Sequence, residues 1–121
     1  MGKALLAGLS EEDERDWIET TDLTPSGPNS IVRKTALRAE LERVRHQGFA
    51  INDQELVAGM VAIAAPMQNG VTVPAAIGIA ANANTISAAA LAAKCREDLL
   101  VTTRGLAQHL GYQPPTEENS R

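Results

Sequence analysis

The chain has 121 residues, enough for a single domain, and its 44% apolar and 21% charged content is that of an ordinary globular protein. That composition excludes disordered, collagen-like and disulfide-dense classes, and the single cysteine, Cys95, excludes an intramolecular disulfide and suits a reducing, cytoplasmic setting. A net charge of −4 argues against a chain that grips nucleic acid by itself, and no apolar run reaches the ~18 residues of a membrane span.

Only 2% of residues are aromatic (Trp17, Phe49 and Tyr112), so the core must come from Leu, Ile, Val and many Ala. Alanine buries little area, which makes for a thin core and predicts that the chain leans on a partner copy or on further sequence. Taken in chain order, the apolar stretch Gly2 to Leu9 predicts a short buried helix. Ser10-Glu11-Glu12-Asp13 then supplies an S-x-x-D cap for a second short helix through Trp17 and Ile18. Thr20 to Ser30, rich in proline and hydroxyl residues, predicts a loop. Thr35 to Gln47 predicts a helix, with Leu37, Leu41 and Val44 on one face and Gly48 as its left-handed stop. Phe49-Ala50-Ile51 predicts a short strand, followed by a polar turn from Asn52 to Gly59 in which Asn52, Asp53, Gln54 and Glu55 read as solvated, with a ligand site as the alternative.

Met60 to Met67 and Val71 to Ala81 flank Asn69-Gly70, a strong hairpin signal. In the second of these strands Val71, Val73, Ala75, Ile77 and Ile79 share a bulky face, while Thr72, Pro74, Ala76, Gly78 and Ala80 share a nearly bare one. A bare face either lets a helix approach closely or leaves room for a ligand, and Pro74 favours an edge or bulge. The last helix runs from about Ser87 to Leu110, with a stripe through Leu91, Cys95, Leu99, Thr102, Leu106 and Leu110 and a stop at Gly111. The segment 113–121 reads as a disordered tail.

No catalytic constellation emerges. His46 and His109 sit near polar helix ends and read as solvated, and Cys95 reads as a small core hydrophobe. With two histidines and one cysteine far apart, a tetrahedral zinc site cannot assemble, and Gly2-Lys3 lacks the rest of a phosphate loop. These residues predict neither enzymatic activity nor a cofactor.

Several motifs follow one another in a particular order: GKALLA at Gly2 to Ala7, a loop like T-P-x-T-P-x-T-I at Thr24 to Ile31, ALRAELERVRHQGFAINDQEL from Ala36 to Leu56, GMVAIAAPM before a hairpin, and a long helix ending in Leu110-Gly111. In that order and spacing they resemble the effector-binding domain of the IclR family of bacterial transcriptional regulators. The resemblance implies an α+β, GAF-like fold, an antiparallel sheet with flanking helices that holds a small-molecule pocket and oligomerisation surfaces. It implies a ligand-sensing role, with self-association as a dimer or tetramer and with DNA read by a winged helix-turn-helix outside this chain. It also implies that Gly2 lies well inside the domain, so residues 1–112 read as the C-terminal part of an N-terminally truncated effector domain. A free-standing GAF-like ligand-binding or dimerisation module is the alternative.

The resemblance further places a ligand pocket. Backbone amides just before the GKA helix correspond to Met1, Gly2 and residues before them, and a polar position usually held by Asp corresponds to Asn52. A Cys position corresponds to Ala62, and two Ser positions to Gly78 and Ala80, the same residues that alternation puts on the bare face. Gly27 and Ser30 stand where threonines are usual. Losing the Cys and Ser donors while enlarging the space predicts either an effector bulkier and more apolar than glyoxylate or pyruvate, such as an aromatic one, or a degenerate pocket.

Overall fold

The computed structural model describes residues 1–67 and 75–110. Its elements are α1 (Gly2–Ala7), α2 (Glu11–Thr20), α3 (Lys34–Gln47), β1 (Ala50–Asp53), β2 (Met60–Pro66), β3 (Ala76–Asn82) and α4 (Ala88–His109), an α+β arrangement. The helices begin and end where local chemistry dictates. Ser10 Oγ accepts from Asp13 N at 3.1 Å and Ser87 Oγ from Ala90 N at 3.1 Å, so each hydroxyl satisfies an otherwise orphaned donor. Gly48, at φ +92°, closes α3 in the left-handed region that a side chain would disfavour.

The strands pair antiparallel in the order β1-β2-β3, and the register puts Ala62 opposite both Asn52 and Ala80, with Gly78 opposite Ala64. Because side chains alternate across a strand, the sheet sorts its residues into two sets. Val61, Ile63, Ala65, Ile77 and Ile79 join Leu91, Ala92 and Leu99 of α4 in one core cluster. Ala50, Ala64 and Ala76 face the other way, toward Ala4 and Ala7 of α1, Ile18 of α2, and Leu37, Leu41 and Val44 of α3. Arg45 ties that helical layer together, its guanidinium meeting the Ala7 carbonyl at 3.2 Å and pairing with Glu14.

Some expectations change, and others lie outside the described residues. The strand expected over Val71 to Ala81 is described only from Ala76, and it runs to Asn82; the Asn69-Gly70 turn, Pro74, Gly111 and the 113–121 tail lie outside the described residues. On α4 the expected stripe does not continue through Thr102, Leu106 and Leu110, which are exposed, and Cys95 is only half-buried. The buried line instead steps by four, from Leu99 to Thr103 to Ala107. Thr103 can occupy it because its Oγ1 donates to Leu99 O at 2.7 Å, leaving no unsatisfied hydroxyl in the core. His46 and His109 are exposed, as expected. Among the described residues, no helix is long and apolar enough to cross a membrane.

Candidate functional site

The helical layer covers the sheet around Ala50 and Ala64 but leaves the neighbouring stretch of the same face hollow. Small residues make that hollow. Ala62 in the middle, flanked by Asn52 on β1 and Ala80 on β3, offers almost no side-chain volume to fill the space. The result is a cavity of about 220 Å³ walled by Met1, Asn52, Leu56, Ala62, Gly78 and Ala80, among others. A Cβ on Gly78 would lie 2.9 Å from Met1 Cε, so the missing side chain is what lets Met1 lie across the strand. Of the residues singled out from sequence, Met1, Asn52, Ala62, Gly78 and Ala80 line this cavity. Gly2 lines an adjoining groove of about 390 Å³ that shares Met1, Asn52 and Leu56 with it.

Asn52 is the polar side chain in a cavity wall otherwise apolar among the described residues. Its Oδ1 accepts from Glu55 N at 3.0 Å, and that donor fixes which end of the amide is oxygen. The Nδ2 group is therefore the end with hydrogens to offer a guest. The turn that follows is held tightly: Gln54 adopts φ +59°, its backbone N–H donates to Met60 O at 2.9 Å, and its Oε1 accepts from Gly59 N at 3.1 Å.

The loop over residues 26–30 docks on this turn, and here the two departures from threonine acquire a physical reason. A Cβ on Gly27 would come within 2.5 Å of Gln54 O and 2.9 Å of Glu55 O, so only glycine fits this approach. Ser30 Oγ donates to Glu55 O at 2.6 Å and accepts from Gly27 N at 2.8 Å.

Glu55 is not the solvated turn residue that the sequence suggests. It pairs with Lys3 at 2.9 Å, the two side chains being only 20% and 13% exposed, and Lys3 Nζ also donates to the Ile51 carbonyl. In the sequence Lys3 is only the fragment of an absent phosphate loop; the signal for its pairing is a lone charge in the otherwise apolar run Gly2 to Ala7. The Met1 amino group lies in the same neighbourhood. Burial, and then the nearby Lys3 ammonium, push its pKa below 8.0, while Glu55 pulls the other way.

Comparison with known proteins places this geometry. Residues 1–107 match the family model described as bacterial transcriptional regulator IclR C-terminal. The chain is 31% identical over 115 residues to the HTH-type transcriptional repressor AllR of Salmonella typhi, covering 94% of this chain and 42% of AllR. Among solved structures it is similar to the inducer-binding domain of a PobR double mutant from Acinetobacter in complex with 3-hydroxybenzoic acid, with a TM-score of 0.76, 28% identity, and 87% of this chain and 61% of that one covered. It is also similar to the IclR of Thermotoga maritima, with a TM-score of 0.78, 26% identity and coverage of 92% and 45%. The chain thus spans less than half the length of AllR.

Proposed function

Because the chain belongs to the family of bacterial transcriptional regulator IclR C-terminal domains, we propose that it is the ligand-sensing and oligomerisation part of such a regulator, with a small-molecule effector held in the cavity over the sheet. One observation carries the reading: Asn52, Ala62, Gly78 and Ala80, drawn from three strands, wall a single hollow that has one oriented amide. The PobR inducer-binding domain, solved with 3-hydroxybenzoic acid, supports a small aromatic molecule as a guest of this fold. Here the wall favours a guest more apolar than a short keto acid, because Ala62, Gly78 and Ala80 offer no side-chain donor to a buried carboxylate. Residues 1–112 form the effector-domain portion. The role assigned is binding rather than catalysis, a reading supported by the matched family and relatives, which are transcriptional regulators.

DNA reading is assigned to a separate domain, consistent with the −4 charge of this chain. Self-association is assigned to the chain itself: among the described strands β1 and β3 each have one unpaired edge, and Val101 and Leu106 on α4, with Leu110 just after it, are exposed. Sedimentation at high micromolar concentration should therefore detect a dimer or larger species, and a stable monomer would count against this assignment. The effector reading is tested by titrating monoaromatic fragments into the ¹⁵N-labelled chain. Amide shifts centred on Asn52, Ala62, Gly78 and Ala80 are expected. Shifts confined to the α4 side of the sheet would sink it.

A further inference from the structure

The cavity can be read one step further, on the premise that it is the effector site. Lys3 and Glu55 are the charged side chains lining the groove among the described residues, and the cavity wall carries none. The ammonium of Lys3 is already balanced by Glu55 at 2.9 Å, in a pair largely withdrawn from water. The backbone of Glu55 is fixed at the rim, its N–H donating to Asn52 Oδ1 at 3.0 Å and its carbonyl accepting from Ser30 Oγ at 2.6 Å, and Lys3 holds its carboxylate. A carboxylate guest arriving at Asn52 would stand near Glu55, with Lys3 already balanced and the half-buried Met1 amino group, whose pKa is lowered chiefly by burial, as the remaining cation in reach. Like charges at short range disfavour the ionised form, and a desolvated anion without donors is strongly penalised.

A neutral acceptor meets neither obstacle. Lys3 has three ammonium protons and uses two of them on Ile51 O and Glu55, which leaves one for a guest, and Asn52 Nδ2 adds further donors. Size points the same way. The 220 Å³ cavity alone falls below the roughly 300–1,000 Å³ usual for ligand pockets, whereas the groove it joins at Met1, Asn52 and Leu56 adds space on the polar side. We propose that the site selects an uncharged amphipathic molecule, with its apolar body over Ala62, Gly78 and Ala80 and a neutral amide, lactone or hydroxyl head at Asn52 and Lys3, and that Glu55 is the residue that excludes carboxylates.

The test uses matched pairs that differ only in the head: phenylacetamide against phenylacetate, and butanamide against butanoate. Each is titrated into the ¹⁵N-labelled 121-residue chain at pH 8.5, where the acids are ionised and the Met1 amino group, whose pKa is lowered chiefly by burial, carries less charge than at neutral pH. The amides should bind at least about tenfold more tightly than the acids, the scale set by one charge-assisted hydrogen bond. Glu55→Gln should invert the order, because Lys3 then carries an unbalanced charge while the Gln carbonyl oxygen still accepts from it. Acids that match or exceed their amides in the unaltered chain overturn the inference yet leave the cavity reading intact. An order that Glu55→Gln leaves unchanged does the same. If neither series shifts Asn52, Ala62 or Ala80, the cavity reading falls and this inference with it. Should Glu55→Gln fail to fold, the comparison in the unaltered chain decides alone.

Discussion

On the α4 side of the sheet, Val61 and Ile63 of β2 are sealed beneath Leu91 and Leu99, and Ile77 and Ile79 of β3 extend the same apolar layer. On the opposite side the same two strands present Ala62, Ala64, Gly78 and Ala80, and the helical layer reaches only the end near Ala50 and Ala64. Backbone, register and strand order are common to both faces. What separates them is side-chain volume at alternate positions, so one residue parity is filled along its length while the other is packed only near Ala50 and Ala64 and open beside Ala62 and Ala80. Neighbouring substitutions in a single strand should therefore have unlike consequences.

The largest expected effect falls on the sealed face. Ile63→Ala removes a fully buried side chain and should lower the unfolding free energy by about 2–5 kcal/mol, read from urea denaturation. Ala62→Ser, one residue away on the open face, should change it by less than about 0.5 kcal/mol. Equal losses for the two would break the comparison between faces. Next in size is Gly27→Ala at the rim. Its Cβ would meet backbone oxygens of Gln54 and Glu55, which have no flexible end to move aside. A loss of about 1–3 kcal/mol is expected, with amide shifts at Asn52 and Glu55 as the docked loop is pushed off the turn. An unchanged melting temperature would show that the loop does not brace the open face.

Much of this contrast could be read from the sequence, and the exceptions have physical causes. Period-two alternation in β3 separates Ile77 and Ile79 from Gly78 and Ala80 without any structure, and the signals at Ser10 and Gly48 mark the start of α2 and the end of α3. The second half of α4 misleads because three- and four-residue steps from Leu99 reach Thr102 or Thr103 equally well. Apolar counting favours the line with Leu106, while the buried line runs through a threonine that bonds its own helix. The Lys3–Glu55 pair is hidden for a different reason, since its partners lie 52 positions apart and nothing local reports such a contact. Residues 68–74, where the hairpin turn was expected, lie outside the described residues. The family motifs lead to Asn52, Ala62, Gly78 and Ala80, but only the strand register explains why these can share one wall.

A change in stability as small as that of Ala62→Ser is expected for Ala80→Leu, and it sharpens the comparison most. Ala80 is exposed above the hollow, so the added carbons enter open space rather than a filled core. The melting temperature should move by no more than a surface substitution allows, about 0.5 kcal/mol in either direction, while fragment binding at Asn52 disappears. Gly78→Leu looks equivalent by sequence but is not. Its Cβ would press Met1 Cε at 2.9 Å and the Ile63 carbonyl at 3.4 Å, so it must displace Met1 and strain against β2 as well as fill the cavity. It should therefore lose binding together with about 1–3 kcal/mol of stability. Thermal melts of the two variants separate space from packing. If Ala80→Leu destabilises the chain as much as Gly78→Leu does, the bare face is a packing surface for Met1 and its neighbours, and the division of the sheet into a sealed side and a receptive side fails.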